Sequence, residues 1–227
     1  MASARSEPMT APRILLTGFE PFGGDSVNPA WLVAQHLAGL PWAGAQVRAV
    51  QLPCVFGLSA QVLVQALAQH PPDVVLALGL AQGREGISIE RVAINVDDAR
   101  IPDNAGQQPI DTPVVPGGPA AYFSTLPIKR LAQGLQRAGH PAHISQTAGT
   151  FVCNHVFYAL QHHLHGQRAM SGFVHLPALP EQAARAGRPT PPSMALAAQV
   201  AAVQCLLELC VAHANDGDVR VAGGAIS

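Results

Sequence analysis

One cysteine in the 227-residue chain stands where a nucleophile could be activated. Cys153 follows a strand predicted over 142–146 and lies in the first turn of the helix predicted over 150–164. Unpaired backbone N–H groups and the helix dipole at that position favour a thiolate, which would lower the pKa of the thiol. The same N–H groups could donate to a developing oxyanion. Because free cysteines are also common in inert cores, the position alone leaves a reactive and a structural Cys153 open.

A cysteine nucleophile needs a base, and the sequence offers ten histidines. His175 lies at the end of a strand predicted over 172–176, and a strand–helix–strand unit would bring it to the same sheet edge as Cys153. His155 is two residues from Cys153 on one helix, so the two side chains should point to different faces. The remaining histidines of that helix are predicted to be a solvated terminus without metal-ligand spacing: His162, His163 and His165. His175 is the predicted base, with a structural role as the alternative.

A third group must fix the tautomer of such a base, and Glu90 is the carboxylate predicted to do so. It enters a strand predicted over 90–96, after the glycine-rich segment 79–84. A surface ion pair with Arg91 is the alternative role for this carboxylate. The rival carboxylates come from the following loop: Asp97, Asp98 and Asp103. Cys54, which also follows a predicted strand, is the rival nucleophile.

The elements that must position these side chains alternate between strand and helix. Strands are predicted over 13–18, 45–52, 74–79, 90–96, 142–146 and 172–176, and helices over 29–37, 59–69, 126–138, 150–164 and 193–213. This order is typical of an α/β fold with an open, twisted, mainly parallel sheet and helices on both faces, in which ligands bind beyond the carboxyl ends of the strands. The proline- and glycine-rich segment 100–120 is predicted to be a long loop that covers a site or forms a flexible insert.

Length and composition indicate one folded domain, since 48% of the residues are hydrophobic and 12% are charged. We predict a disordered N-terminal tail over 1–12, a single α/β catalytic domain over 13–215 and a C-terminal tail over 216–227. A net charge of −1 argues against nucleic acid or an anionic membrane as a partner. No apolar run approaches the about 20 residues of a membrane span, and the first residues lack a secretory signal. The four dispersed cysteines argue against disulfides and zinc, and together these features predict a cytoplasmic protein.

Longer motifs follow one another from Leu15 to about the last helix. They are Leu16-Thr-Gly-Phe-Glu-Pro-Phe-Gly-Gly24 with Asn28-Pro29, Glu90-Arg-Val-Ala-Ile-Asn95, Ala99-Arg-Ile-Pro-Asp-Asn104, Gly117-Gly-Pro-Ala-Ala-Tyr122, Leu126-Pro-Ile-Lys129, Thr147-Ala-Gly-Thr-Phe-Val-Cys-Asn-His155, and Gly172-Phe-Val-His175 with Pro180-Glu-Gln182. In this order the motifs resemble the pyroglutamyl-peptidase type I family of cysteine peptidases, also called pyrrolidone-carboxylate peptidases.

The resemblance implies removal of an N-terminal pyroglutamyl residue from peptides through an acyl-enzyme. It places the family's catalytic triad on Glu90, Cys153 and His175, the residues reached above from position alone. It also implies an open α/β fold, no metal or cofactor, a cytoplasmic location and a homotetramer. Further roles follow from the same resemblance: Arg100 would polarise the scissile carbonyl, Phe19, Phe22 and Phe151 would wall the flat lactam ring, and Val152 would belong to the substrate-binding residues.

The chain departs from the family pattern after its third predicted strand. Where the family commonly has Gly-Gln-Ala-Gly-Gly-Arg, this chain has Gly79-Leu-Ala-Gln-Gly-Arg84, so Leu80 replaces a polar residue expected to contact the lactam. Gln82 is the predicted substitute, with backbone groups as the alternative.

Other functions are open to a chain of this class. An amidotransferase-like or other α/β cysteine hydrolase such as an amidase would usually carry a G-x-C-x-G elbow, which Phe151-Val-Cys-Asn-His155 is not. A purine-phosphorylase-like transferase shares the architecture but leaves Cys153 without a role. A catalytically altered or silent binding homologue has only Leu80 in its favour.

Overall fold

The computed structural model describes residues 11–42, 44–214 and 216–224. In chain order the elements are β1 (Arg13–Phe19), α1 (Pro29–Ala38), β2 (Gln46–Leu52), α2 (Leu58–Gln69), β3 (Val74–Leu80), β4 (Ile87–Glu90), β5 (Val92–Ile94), β6 (Ala121–Phe123), α3 (Ile128–Arg137), β7 (Ala142–Ser145), α4 (Val152–Leu164), β8 (Met170–Leu176), α5 (Pro180–Arg185) and α6 (Leu196–Ala212). The N-terminal tail predicted over 1–12 falls almost entirely outside the described residues. None of the helices in the described ranges has the length and hydrophobicity needed to cross a bilayer.

Six strands form one twisted sheet in the order β2-β1-β3-β8-β4-β7. Strands β2, β1, β3 and β8 run parallel, and the direction reverses between β8 and β4, which pair antiparallel. Strands β4 and β7 are parallel to each other. The predicted open, mainly parallel α/β sheet is confirmed, with one reversal that the alternation of elements did not reveal.

Helices cover both faces of this sheet, so its central strands are buried on both sides. Helices α1, α3 and α6 pack on one face and α2 and α4 on the other. In β3, Val74 and Leu76 belong to the first core and Val75 and Ala77 to the second. A strand buried on both faces needs no polar alternation, which explains its continuous apolar sequence.

The strand predicted over 90–96 is wrong, because two strands of different sheets share that stretch. Strand β4 ends at Glu90 in the main sheet, whereas β5 pairs antiparallel with β6 in a separate two-stranded sheet. The chain turns at Arg91, whose N–H donates to Ser145 O and whose carbonyl accepts from Ser124 N. Uninterrupted alternation of polar and apolar residues conceals this turn. Strand β6 and helix α5 were not predicted.

Polar side chains give the proline-rich insert between β5 and β6 a defined path. The amide of Asn95 binds both the N–H and the carbonyl of Val115. The carboxylate of Asp103 accepts from the N–H groups of Phe56, Ala105 and Gln107. The insert is therefore tied to the loop that follows β2.

The described part of the C-terminal segment lies against the main domain. Asp218 accepts from the N–H groups of Lys129 and Arg130 at the start of α3. Further on, Arg91 donates to the carbonyl of Gly223 at 2.7 Å. Both contacts bring the segment alongside α3 and the end of β4.

Candidate active site

The thiol of Cys153 lies where the sequence places it, at the second residue of α4. No side chain within the described residues caps the preceding Phe151, so the first N–H groups of the helix stay open to a ligand. The sulfur rests against Gly79 of β3, since a Cβ added there would lie 3.0 Å from Sγ and 2.8 Å from the ring of Phe173. Only glycine lets the helix start approach the sheet this closely.

His175 is the neighbour of Gly79 on the adjacent strand β8. It shares a sheet face with Phe173, two residues earlier, and the two rings lie 4.9 Å apart between centroids. Since the Phe173 ring and the Cys153 sulfur approach the same point above Gly79, the imidazole lies on the sheet face that carries the thiol, the face covered by α4.

Glu90 completes this arrangement from the other side of His175. Its Oε1 lies 2.8 Å from His175 Nδ1, and the residues are 0% and 4% exposed, respectively. A carboxylate that accepts from Nδ1–H selects the neutral tautomer whose Nε2 is an acceptor, and Nε2 has no hydrogen-bond partner in the described ranges. The ring is thus held in the tautomer that can take a proton on the side of Cys153.

Strand reversal explains how Glu90 reaches the histidine. The sequence predicts that Glu90 begins a strand and that a strand–helix–strand unit brings His175 to the sheet edge of Cys153. Instead, Glu90 is the last residue of β4, and β4 separates β7 from β8. Strand β4 runs antiparallel to β8 with Ile89 opposite Val174. The side chain of Glu90, the last residue of β4, therefore lies alongside that of His175. The three residues meet by a topology that the sequence analysis did not predict.

Arg84 is the cation nearest the buried carboxylate. Its Nη2 lies 3.8 Å from Glu90 Oε1 and donates to Ser145 Oγ at 3.3 Å. The second oxygen, Glu90 Oε2, is buried without a partner among the described residues. Arg84 thus supplies a positive charge, and His175 Nδ1–H a hydrogen-bond donor, to a carboxylate that is fully buried.

The environment of Cys153 reverses the pKa direction predicted from its helix position. Burial raises the pKa of the thiol, and the neighbouring Cys54 and Glu90 raise it further. Loss of hydration at the floor of the site disfavours the thiolate. The resting thiol is therefore protonated at neutral pH, and its proton must leave during the attack.

A cavity of about 460 Å³ opens above the thiol. Its lining includes these residues: Phe19, Phe22, Gly23, Asp25, Val27, Asn28, Cys54, Leu80, Gln82, Arg100, Ile101, Phe151 and Cys153. Phe22 and Phe151 form one wall with their ring centroids 5.3 Å apart. A mainly apolar cleft with a few polar groups and a thiol at its base suits a small flat substrate group.

Comparison with known proteins identifies the family. The sequence profile described as "Pyroglutamyl peptidase" matches residues 12–213. The chain belongs to this family. It is a cysteine-type exopeptidase, as are the relatives that carry the name pyrrolidone-carboxylate peptidase.

Relatives resemble it over nearly their whole length. The pyrrolidone-carboxylate peptidase of Erwinia tasmaniensis is 54% identical over 213 residues, which cover 94% of this chain and 98% of the relative. That of Klebsiella pneumoniae is 55% identical, with 93% and 98% covered. The crystal structure of pyroglutamyl peptidase I from Bacillus amyloliquefaciens superposes with a TM-score of 0.87 at 41% identity, covering 93% of this chain and 99% of that one. A mutant pyrrolidone carboxyl peptidase from Pyrococcus furiosus gives 0.85 at 45%, with 88% and 99% covered.

Most substrate-binding residues expected from the resemblance line this family member's cavity. Val152 does not, because its side chain is fully buried in the core beneath α4. Only its backbone can face a substrate. Asn28 also lines the cavity, although no site role was predicted for it. It caps α1 at the same time, since its Oδ1 accepts from Ala30 N at 3.0 Å.

The rival residues have different surroundings. Cys54 lines the same cavity, but burial, Glu20 and Asp103 raise the pKa of its thiol to about 12. His155 Nδ1 lies 2.8 Å from Asp97 Oδ2, and its Nε2 accepts from Gly57 N at 3.0 Å. An imidazole whose two nitrogens are both engaged has no site left for a thiol proton. Within the described ranges no group of three histidine, cysteine or acidic side chains is placed to hold a metal ion.

Proposed function

We propose that Cys153, His175 and Glu90 form the catalytic triad with which this peptidase removes N-terminal pyroglutamyl residues. The observation that carries the proposal is the pair of Glu90 with His175 Nδ1, which leaves Nε2 without a partner among the described residues, on the sheet face that carries Cys153. A nucleophile, a base and a group that orients the base are the parts that thiol-dependent acyl transfer requires.

The neutral resting thiol defines the first step. Cys153 Sγ attacks the carbonyl carbon of the pyroglutamyl residue while its proton moves to His175 Nε2. Glu90 stabilises the imidazolium that forms, and the oxyanion lies within reach of the first N–H groups of α4 and the Arg100 guanidinium. The C–N bond then breaks as His175 returns the proton to the leaving amine, which gives a thioester on Cys153.

Water completes the cycle. His175 removes a proton from a water molecule, which attacks the thioester carbonyl, and the sulfur departs with the proton from the imidazolium. Free pyroglutamate and the neutral thiol are regenerated. Each step uses the same nitrogen alternately as base and acid, which is why the tautomer held by Glu90 matters.

The aromatic wall and the end of β3 support a proposal for substrate binding. Phe19, Phe22 and Phe151 would pack on the faces of the lactam ring. Leu80 cannot pair with the lactam N–H or C=O, and an unpaired buried group costs roughly 1–3 kcal/mol. Gln82, which lines the same cavity, carries both a donor and an acceptor.

Two substitutions test this role of Gln82. Gln82→Gly should raise the KM for a pyroglutamyl amide, whereas Leu80→Gln should lower it. If neither changes kcat/KM, backbone groups near Phe19 and Phe151 bind the lactam instead.

We also infer a cytoplasmic homotetramer from the family resemblance. The four cysteines are free thiols, as expected in a reducing compartment. Two large apolar side chains, Ile110 and Phe123, are exposed on the insert and β6, where a neighbouring copy could cover them. Light scattering after size exclusion should give four times the 23.6 kDa chain mass, and a monomer mass would contradict the assembly.

Turnover of a chromogenic pyroglutamyl amide tests the triad. Cys153→Ser should abolish release of the chromophore, whereas Cys205→Ser, a half-buried thiol on α6, should leave it unchanged. Full activity in Cys153→Ser would overturn the mechanism. If the wild-type chain binds the pyroglutamyl amide without cleaving it, the chain is a catalytically silent homologue. If it cleaves ordinary amides but not the pyroglutamyl amide, it is a different amidase.

A further inference from the structure

A second buried acid–histidine pair lies behind the catalytic helix and takes no part in the mechanism above. Asp97 and His155 are 5% and 6% exposed, and their side chains meet at 2.8 Å. Asp97 belongs to the insert that follows β5, and His155 to the first turns of α4. The pair therefore joins the segment that leads to Arg100 with the helix that carries Cys153.

The hydrogen bonds of His155 fix its charge. Gly57 N–H donates to Nε2, so the ring proton is on Nδ1, where it is donated to Asp97. Protonation of Nε2 would place its N–H opposite the Gly57 N–H, so that two hydrogen-bond donors would face each other. The imidazole is held neutral and serves as a rigid connector between the insert, α4 and the turn before α2.

Neighbouring residues extend this connection into a continuous seam, defined by residues 94–98, from the end of β5 into the insert, and residues 150–155, from the loop before α4 into its first turn. Asn154 accepts from Ile94 N and donates to the carbonyls of Ile94 and Val96. Asp98 N donates to Thr150 O, and Thr150 Oγ1 donates to Asp98 O at 2.7 Å. The Asp97–His155 contact is the part of the seam in which a charged side chain is buried.

Arg100 leaves the seam two residues after Asp98 and lines the cavity above Cys153. Its exposed guanidinium forms no ion pair or side-chain hydrogen bond within the described ranges. No described side chain therefore holds the guanidinium itself. What the seam sets is the position of the Arg100 backbone relative to the first turn of α4.

We propose that Asp97 and His155 are positioning residues. They hold the Arg100 segment against the first turn of α4, so that the guanidinium and the Cys153 thiol reach the same scissile carbonyl of the substrate. This inference rests on the proposed function, because it assigns Arg100 to the scissile carbonyl. Small displacements of groups that stabilise a transition state lower kcat strongly, by up to about 100-fold for 1 Å.

Steady-state kinetics on a chromogenic pyroglutamyl amide test the proposal. Asp97→Ala should lower kcat about 10- to 100-fold with little change in KM. Asp97→Asn keeps an oxygen that accepts from Nδ1–H and should retain most of the activity. Asp98→Ala is the matched control, because this exposed neighbour joins the seam only through its backbone. Should Asp97→Ala fail to fold, His155→Gln takes its place under the same criteria.

Two further readouts separate positioning from general damage. In an Arg100→Ala background, Asp97→Ala should cause almost no additional loss, because both changes remove the same interaction. The rate at which iodoacetamide alkylates Cys153 should match wild type, since alkylation does not use Arg100. Independent, multiplicative losses, a changed alkylation rate, or wild-type kcat in Asp97→Ala would overturn the proposal. Inactivity of the wild-type enzyme toward pyroglutamyl amides would instead contradict the proposed function.

Discussion

Two buried carboxylate–histidine pairs flank Cys153, and the environment of the second ring nitrogen distinguishes them. In both pairs Nδ1 lies 2.8 Å from a carboxylate oxygen, Glu90 for His175 and Asp97 for His155. The second nitrogen of His155 accepts from Gly57 N–H, whereas that of His175 has no hydrogen-bond partner in the described ranges. The shared hydrogen bond fixes a tautomer, and the free nitrogen decides whether the ring can do chemistry.

The backbone context produces this difference. His175 ends a strand at the carboxyl edge of the sheet, where α/β folds leave an opening for ligands. His155 lies on a helix face pressed against the loop after β2, with the ring of Phe56 at 5.6 Å. We therefore expect the same pair of residue types to serve proton transfer at an open edge and attachment at a closed interface.

The largest expected effect separates the two histidines. His175→Ala should remove both the general-base and the general-acid step, each of which contributes about 10²–10⁴-fold. His155→Ala should cost only about 10- to 100-fold, because it disturbs position and transfers no proton. Measurement of kcat on one pyroglutamyl amide compares them, after circular dichroism shows that each variant is folded. Near-wild-type turnover in His175→Ala with an inactive His155→Ala would reverse the assignment.

The carboxylates should respond differently to loss of charge alone. Glu90→Gln removes the charge that stabilises an imidazolium, and we expect kcat to fall about 10²- to 10⁴-fold, as in other triads that lose this charge. Asp97→Asn faces a ring that stays neutral, so kcat should stay within about threefold of wild type. Equal losses in the two variants would mean that the second ring also becomes charged during turnover.

The sequence allowed most of the site's components to be predicted, because local signals mark them. A strand, a glycine and a helix start identify Cys153, and the end of an apolar strand identifies His175. The route that joins Glu90 to them could not be predicted. Its strand ends at Glu90 and reverses direction relative to β8, and neither the alternation of residues 90–96 nor the order of elements contains that information.

The positions of two further residues around the site were not predicted. Asn28 both caps α1 and lines the cavity, and His155 was considered only as a base, a role that its spacing from Cys153 argued against. That spacing correctly argues against a shared helix face, but it says nothing of Asp97, which is 58 residues away in sequence. Long-range partners of this kind depend on packing of the insert, which a proline-rich sequence without periodicity does not specify.

The smallest effect concerns the thiol between the two pairs. A helix start predicts a low thiol pKa, and alkylation by iodoacetamide would then level off by about pH 8. Burial raises the pKa of Cys153 instead, so the thiolate is the minor form at neutral pH and grows about tenfold with each pH unit below the pKa. The rate of Cys153 labelling, followed by mass spectrometry between pH 6 and 9, should therefore keep rising without a plateau.

Two variants serve as controls for this labelling experiment. Cys153→Ser supplies the background from the other thiols. His155→Ala should leave the profile unchanged, since both nitrogens of that ring are engaged away from the sulfur. A plateau near neutral pH in the wild type would mean that His175, rather than solvent, already holds the thiol proton in the resting enzyme.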